Sequence, residues 1–253
     1  MSIDRQGRIW ISIPFRWMYK PYSPRRIISL DINLRKIVVY NGESIRRIDT
    51  RFMEALYLKH LAENVQKRHS YAWRRSIKWV ETIKALHKRS RDIVIDWSHK
   101  LAKYIVLKAR RTRSAIVLED LEKLWYNSSR KLTSLADKLS RFAYRKLQLA
   151  IITKAIEYNV PILFVNPKGT SSTCPRCGNR LSYNHRLAIC RKCGFMTDRD
   201  TVGAMNIYLK ALKYLAPRHG SWGTHPMTNE TRAKDGSTID EPMTIYIHSY
   251  KIV

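Results

Sequence analysis

The chain has 253 residues, enough to bury a sizeable core, and its 48 Lys and Arg against 20 Asp and Glu leave a formal net charge of +28. Such an excess is foreign to an enzyme of small metabolites and to a merely well-solvated surface, where acids and bases balance. It points to a polyanion, nucleic acid first and an anionic membrane surface second. With no run of about 18 apolar residues and no unbroken apolar stretch near the start, neither a membrane span nor a secretory leader is expected, and the expected compartment is the cytoplasm.

Residues 1–24 hold one alternating run, Ile9-Trp10-Ile11-Ser12-Ile13, followed by Pro14, Pro21 and Pro24. This reads as a short strand and a linker. Residues 27–40, IISLDINLRKIVVY, are two apolar runs around a polar turn, the pattern of a β-hairpin, and Asn41-Gly42 adds a second turn signal. From Glu43 through Val160 there is neither Gly nor Pro, which favours long helices. Apolar residues at helical spacing between Arg51 and Arg110 predict two antiparallel helices, parting near 68–72 or 88–92. Ser114–Glu119 reads as a β-branched strand, 135–158 as an amphipathic helix, Val160–Val165 as a buried strand and Thr201–Leu215 as a last helix. Beyond Pro217 the tail is rich in Gly, Pro, Ser and Thr and is expected to be partly disordered, with a candidate strand at Met243–His248.

The four cysteines of the chain read C-P-R-C-G and, twelve residues on, C-R-K-C-G: Cys174, Cys177, Cys190 and Cys193. Two C-x-x-C pairs at this separation make a tetrahedral four-thiolate zinc site, each pair folding into a knuckle that supplies two sulfurs. Gly178 and Gly194 follow the second sulfur of each pair, where the knuckle needs a residue without a Cβ. A redox C-x-x-C needs one pair, and this chain has two; thiols kept reduced for zinc also fit the cytoplasm.

Three acids stand where carboxylates are unusual. Asp31 closes IISLD, Glu119 closes AIVLE, and Asp200 opens the helix after TDRD. Desolvating a carboxylate is unfavourable unless something neutralises it, and a divalent ion would. Hard oxygen ligands select Mg²⁺ or Mn²⁺, and such ions can drive phosphodiester hydrolysis. Singly, each acid could be a turn residue or a helix cap, Asp198 and Asp200 above all.

On these residues the chain resembles the TnpB family of transposon-encoded RNA-guided nucleases, relatives of type V CRISPR effectors. The resemblance runs from about Ile27 to Leu212: IISLDINLRKIVVYNG is similar to the family's first motif, IVLEDLEKL to its middle one, and NPKGTSSTCPRCG with the ribbon and DRDTVGAMNI to its last. Asn33 stands where the family usually has Gly; Asn tolerates a left-handed turn. The resemblance implies an α/β fold: an RNase H-like (RuvC-type) mixed sheet with an inserted helical hairpin (about 51–110) and a four-cysteine zinc ribbon. It implies Asp31, Glu119 and Asp200 as catalytic ligands of Mg²⁺ or Mn²⁺, structural Zn²⁺ on the cysteines, DNA as substrate and guide RNA as partner. The expected organisation is 1–24 strand and linker, 25–170 nuclease core, 171–196 zinc ribbon, 197–215 last core helix and 216–253 tail. Family members generally carry a large region ahead of the first Asp, for which GRIWISI would be a remnant strand. With thirty residues there, guided cleavage by this chain alone is expected to fail unless another chain supplies the lobe.

Basic residues interleave with aromatics in KRHSYAWRRSIKW, so Arg74, Arg75 and Lys78 are candidate phosphate contacts. A second run, Lys108 to Arg113, adds Arg110, Arg111 and Arg113, expected beside the active-site edge because it precedes the Glu119 strand. A metal-dependent DNA endonuclease is the leading reading. A non-catalytic nucleic-acid-binding family member is the alternative, and a zinc-ribbon translation or transcription factor would leave the three acids unexplained.

Overall fold

Apolar residues that alternate along a strand must find cover on both faces of a sheet, and the central strands here alternate between two separate cores. The structure, a computed structural model, describes residues 2–3, 7, 9–11, 20, 22–120, 134–215 and 245–246. In chain order the elements are β1 (Ser2–Ile3), β2 (Ile9–Trp10), β3 (Arg26–Ile32), β4 (Lys36–Tyr40), β5 (Ile45–Asp49), α1 (Phe52–His69), a 3₁₀ turn (Ser70–Arg74), α2 (Ile77–Arg111), β6 (Ser114–Glu119), α3 (Leu135–Tyr158), β7 (Ile162–Val165), β8 (Ser182–Asn184), β9 (Leu187–Ile189), β10 (Met196–Asp198), α4 (Arg199–Leu215) and β11 (Ile245–Tyr246). The main sheet has the order β11-β7-β6-β3-β4-β5. β3, β4 and β5 form an antiparallel meander, and β6 and β7 continue the sheet parallel to β3.

Ile28 and Leu30 of β3, Ile116 and Leu118 of β6, and Ile162 and Phe164 of β7 face the helical layer α1–α2–α3. The intervening residues Ile27, Ala115, Val117, Leu163 and Val165 face α4 through Ile207 and Ala211. Among the described residues the sheet is therefore sandwiched, three helices on one side and one on the other. Asp31 keeps the parity of Ile27 and Ser29, and Glu119 that of Ala115 and Val117, so period two sends both acids to the α4 side.

The expected hairpin, the Ser114–Glu119 strand and the 135–158 helix form with the boundaries the pattern gives. Ser134 caps α3 by accepting from the Asp137 amide, and Asn159 ends it in a left-handed conformation at φ 53°. α1 and α2 are antiparallel, since Ser90 Oγ donates to the Ala55 carbonyl near the start of α1 while the chain turns at 70–76. No break occurs at 88–92, and α2 runs unbroken for 35 residues. Its lower half is no appendage: Leu101, Ala102, Ile105 and Ala109 are core. The strand β5 is absent from the sequence expectation. It is an edge strand, IRRID, whose exposed Arg46 and Arg47 blur the alternation, and the lack of Gly and Pro there pointed to helix instead. The 216–253 tail falls outside the described residues except for β11, which pairs antiparallel with β7 inside the expected 243–248 run. Among the described residues no helix is long and apolar enough to cross a membrane.

A three-stranded ribbon, β10-β9-β8, sits on the start of α4. Val202 of α4 packs among Cys174, Leu181, Ala188 and Cys190. Buried Asn206 donates to the carbonyls of Thr170 (2.8 Å) and Thr173 (2.7 Å) and so ties the approach segment to the helix. Asn206→Ala strands two carbonyl acceptors at a site that excludes water; denaturant unfolding should show a loss of about 1–3 kcal/mol.

Candidate active site and thiolate cluster

β3 and β6 run parallel with Ser29 beside Val117, so two residues further on Asp31 stands beside Glu119. Neighbouring strands lie about 4.8 Å apart, which brings the two carboxylates to the same edge and the same face. α4 begins over that edge. A Cβ built on Gly203 would lie 2.9 Å from Asp31 Cγ, so only glycine lets the helix come this close. Ser29 Oγ, donating to the Ala204 carbonyl at 2.7 Å, fixes the approach from the strand side.

Each acid has a distinct set of partners. Asp31 Oδ2 accepts from Asn33 Nδ2 at 2.8 Å. Asn33 has no positive φ, so it stands in the turn for this hydrogen bond and not for a left-handed backbone. Glu119 Oε1 accepts from Thr170 Oγ1 at 2.6 Å, while its main-chain carbonyl accepts from Tyr144 Oη and Gln148 Nε2. Asp200, 5% exposed, is held by Arg186 Nη2 and lies 3.5 Å from Lys36 Nζ. Asp198 is the cap of α4: its Oδ1 accepts from the Asp200 amide at 3.0 Å and faces Lys36, and its Oδ2 faces Arg186. Partial burial opposes ionisation of Asp198, but that amide and Lys36 outweigh it and hold the carboxyl below its usual value.

The electrostatics single out Asp31. Burial, then the neighbouring charge of Glu119 and, more weakly, that of Asp200 push its pKa up to about 7, with the Asn33 hydrogen bond opposing. Glu119 is raised as well, by burial, against the Thr170 hydrogen bond and the Lys210 charge. Both remain partly accessible to solvent. Crowded acids that resist ionisation, with oxygen donors only, suit a small hard cation, which would relieve the mutual repulsion. Asp31 and Glu119, close enough for their charges to interact, offer oxygens of the kind such an ion takes. Asp200 fits it on exchanging its Arg186 and Lys36 partners, and no set of one oxygen from each of the three acids lies within 4.8 Å.

The four cysteine sulfurs do lie within 4.8 Å of one another, with Cys174–Cys193 at 3.6 Å and Cys177–Cys190 at 3.5 Å. Both knuckles have one form: the amides of Gly178 and Gly194 donate back to the carbonyls of Cys174 and Cys190, at φ of +75° and +69°. Four convergent thiolates suit a tetrahedral soft-ligand ion. The turn between β8 and β9 also carries Arg186 to Asp198 and Asp200, so the ribbon is joined to the acidic edge. Arg186, Lys36, Thr170 and Gly203 are site residues that the sequence reading missed. Of these only Gly203, a glycine inside a helix one turn after Asp200, left a signal in the sequence.

The two basic sets part company. Arg74, Arg75 and Lys78 are exposed at the turn between α1 and α2. α2 leads down to the start of β6 through a two-residue turn, so it runs opposite to that strand. Its first 20 or so residues, about 30 Å, overhang the edge where β6 ends at Glu119. Two of the interleaved aromatics already have a neighbour on the ring, Arg74 over Trp73 at 4.5 Å and His69 stacked on Trp79 at 4.0 Å, whereas Tyr71 is exposed. The Lys108–Arg113 run was expected beside the acids and is not. It precedes Ser114, the first residue of β6, and Glu119 is the last, so the run lies at the opposite edge of the sheet. Arg110 is moreover bound to the Tyr158 carbonyl at 2.6 Å.

Comparison with known proteins agrees with this architecture. Residues 144–207 match the family described as Cas12f1-like, TNB domain. The chain is 29% identical over 208 residues to the TnpB-like protein MJ0751 of Methanocaldococcus jannaschii, covering 79% of this chain and 74% of that one. It is 26% identical over 213 residues to the CRISPR-associated endodeoxyribonuclease Cas12f1 of Syntrophomonas palmitatica, covering 76% of this chain and 41% of the relative. A CRISPR-Cas12f ternary complex solved by cryo-EM shares the fold at a TM-score of 0.52 and 19% identity, over 78% of this chain and 41% of that chain. The chain thus spans about two fifths of each of these two Cas12f chains.

Two measurements test the chemistry of the site. Cys174→Ser or Cys190→Ser should lower bound zinc below one ion per chain and lower the melting temperature, because a structural ion binds only the folded state. Asp31 binds a proton in the folded chain up to about pH 7 that the unfolded chain releases near 3.8. Its contribution to stability is therefore present below pH 3.8 and lost as the pH rises to 7. Without divalent metal, Asp31→Asn should match the parent protein in thermal melts near pH 4 and exceed it at pH 8.

Proposed function

The chain belongs to the TnpB family, and from that premise we propose that it is a divalent-metal-dependent endonuclease hydrolysing DNA phosphodiesters on an RNase H-like (RuvC-type) core. The observation that carries the reading is the nearness of Asp31 and Glu119 at the ends of adjacent parallel strands, under a helix that carries Asp200 in its first turn and leaves Gly203 without a side chain for Asp31. The meander continued by two parallel strands supports the RNase H-like core. Asp31, Glu119 and Asp200 are the residues that would hold Mg²⁺ or Mn²⁺. When bound, such ions supply an activated water and charge stabilisation at the leaving oxygen.

Within the chain, Asp31 must give up its proton to serve as a ligand, which ties activity to pH near and above neutrality. Thr170 orients one oxygen of Glu119 and leaves the other free of that bond. Zinc on the four cysteines holds the ribbon, and through it the start of α4, in place. Arg74, Arg75 and Lys78, on the arm overhanging the acidic edge, would take phosphates of DNA, of a guide RNA or of both. A further chain supplying more of the nucleic-acid-binding surface belongs to the same proposal.

One observation favours the second reading, a non-catalytic nucleic-acid-binding protein: Asp200 is neutralised by Arg186 and Lys36 of the same chain. The variants Asp31→Ala, Glu119→Ala and Asp200→Ala decide between them. Each should abolish Mg²⁺- or Mn²⁺-dependent cleavage and leave DNA affinity equal or slightly higher, since the acids serve the transition state while the basic surface serves binding. If the parent protein binds DNA but cuts neither single nor double strands with either ion, the second reading stands.

A further inference from the structure

The sheet edge opposite the acids carries a cavity of about 230 Å³ between the β3–β4–β5 meander and the last turns of α2. Its walls are apolar: Ile28, Val39, Ile48 and Ile105. Its rim is cationic, formed by Arg26, Arg46 and Lys108, all exposed. Among the described residues none of these three has a carboxylate within 4.0 Å. Tyr104, 46% exposed, stands on the rim with its hydroxyl 3.1 Å from Arg46 Nη1, which leaves its ring beside the opening. Asn41 and Ser44 add polar groups at the lip.

An apolar hollow this size is below the range of about 300–1,000 Å³ that takes a drug-sized ligand and suits a single ring system. Three uncompensated cations around an apolar floor select a ligand that is flat and apolar at one end and anionic at the other. A nucleotide unit has that form, and aromatic rings beside basic grooves are how single strands are held without regard to sequence. We infer that this cavity captures one unstacked base of single-stranded nucleic acid, with the flanking phosphates on Arg26, Arg46 and Lys108. The inference rests on nucleic acid as the partner but not on cleavage. Arg26 and Asp31 are the first and sixth residues of β3, about 17 Å apart at 3.3 Å per residue, and they face opposite sides of the sheet. The cavity is therefore an anchoring site apart from the acids.

The test compares two probes of equal charge by fluorescence anisotropy on the full chain without added divalent metal: a labelled ten-nucleotide oligothymidylate and its abasic counterpart. The parent protein should bind the thymidylate about tenfold more tightly, the scale of one base stacked on an aromatic ring. Tyr104→Ala should remove that preference while leaving affinity for the abasic strand, and Tyr104→Phe should restore it. Ser44→Trp, which fills the cavity from its exposed lip, should remove the preference without touching Tyr104. Lys108→Glu should weaken both probes and flatten the salt dependence. Equal binding of the two probes by the parent protein, or a preference that survives both Tyr104→Ala and Ser44→Trp, overturns the inference. Binding of neither probe overturns it together with the nucleic-acid reading. Loss of cleavage alone, with the base preference intact, counts only against the nuclease.

Discussion

The contact of α4 with the end of β3 is the constraint on which the remaining geometry depends. A helix laid across the carboxyl end of a strand ordinarily keeps its distance because side chains on both surfaces intervene. Here one surface offers Gly203 and the other Asp31, and the helix backbone sits directly against the carboxylate. This closeness excludes water from one side of Asp31 and brings Asp200 over the same edge. The acid is thereby pushed toward its neutral form, and the fold holds two neighbouring carboxyl groups whose charges oppose each other. Sites of this kind commonly trade stability for chemistry.

Holding that arrangement falls to the ribbon. A three-stranded ribbon of this size has little apolar surface of its own, so its rigidity must come from the thiolate cluster and from α4. The traffic runs both ways. Val202 and Asn206 anchor the ribbon to the helix, and the ribbon returns Arg186 to Asp198 and Asp200, while the segment leading into it delivers Thr170 to Glu119. The cysteines are thus structural in position yet electrostatically tied to the acidic edge. Disturbing the ion they are proposed to hold would reach the acids through Arg186 and Thr170 without any change at the acids themselves.

What could be read from the sequence follows from how local each signal is. The apolar alternation of β3 and β6, the helical period of α3 and the doubled C-x-x-C are contained within short windows, and the structure reproduces them. Asp31, Glu119 and Asp200 were legible as strand-end and helix-start acids, although nothing local says that Asp200 turns its carboxylate to Arg186 and Lys36. β5 was hidden because an edge strand buries only alternate residues weakly and IRRID mimics a polar helix. The placement of Lys108–Arg113 went astray for a topological reason. Nearness in sequence to Glu119 is nearness along a strand, and a strand carries its two ends to opposite edges of the sheet.

That same topology separates the two basic surfaces, only one of which lies near the acids. The basic residues on the α1–α2 arm overhang the acids, whereas those around the apolar cavity lie behind the sheet at its far edge. A polyanion drawn by the overall charge of +28 would meet both surfaces, but only one leads to the acids. A strand anchored at the far edge must pass around β5 or over the arm to reach Asp31, because the sheet itself, buried on both faces, blocks the direct route. The length of single strand needed to bridge that path, and not the strength of either contact, would then decide whether binding at one edge helps or hinders events at the other.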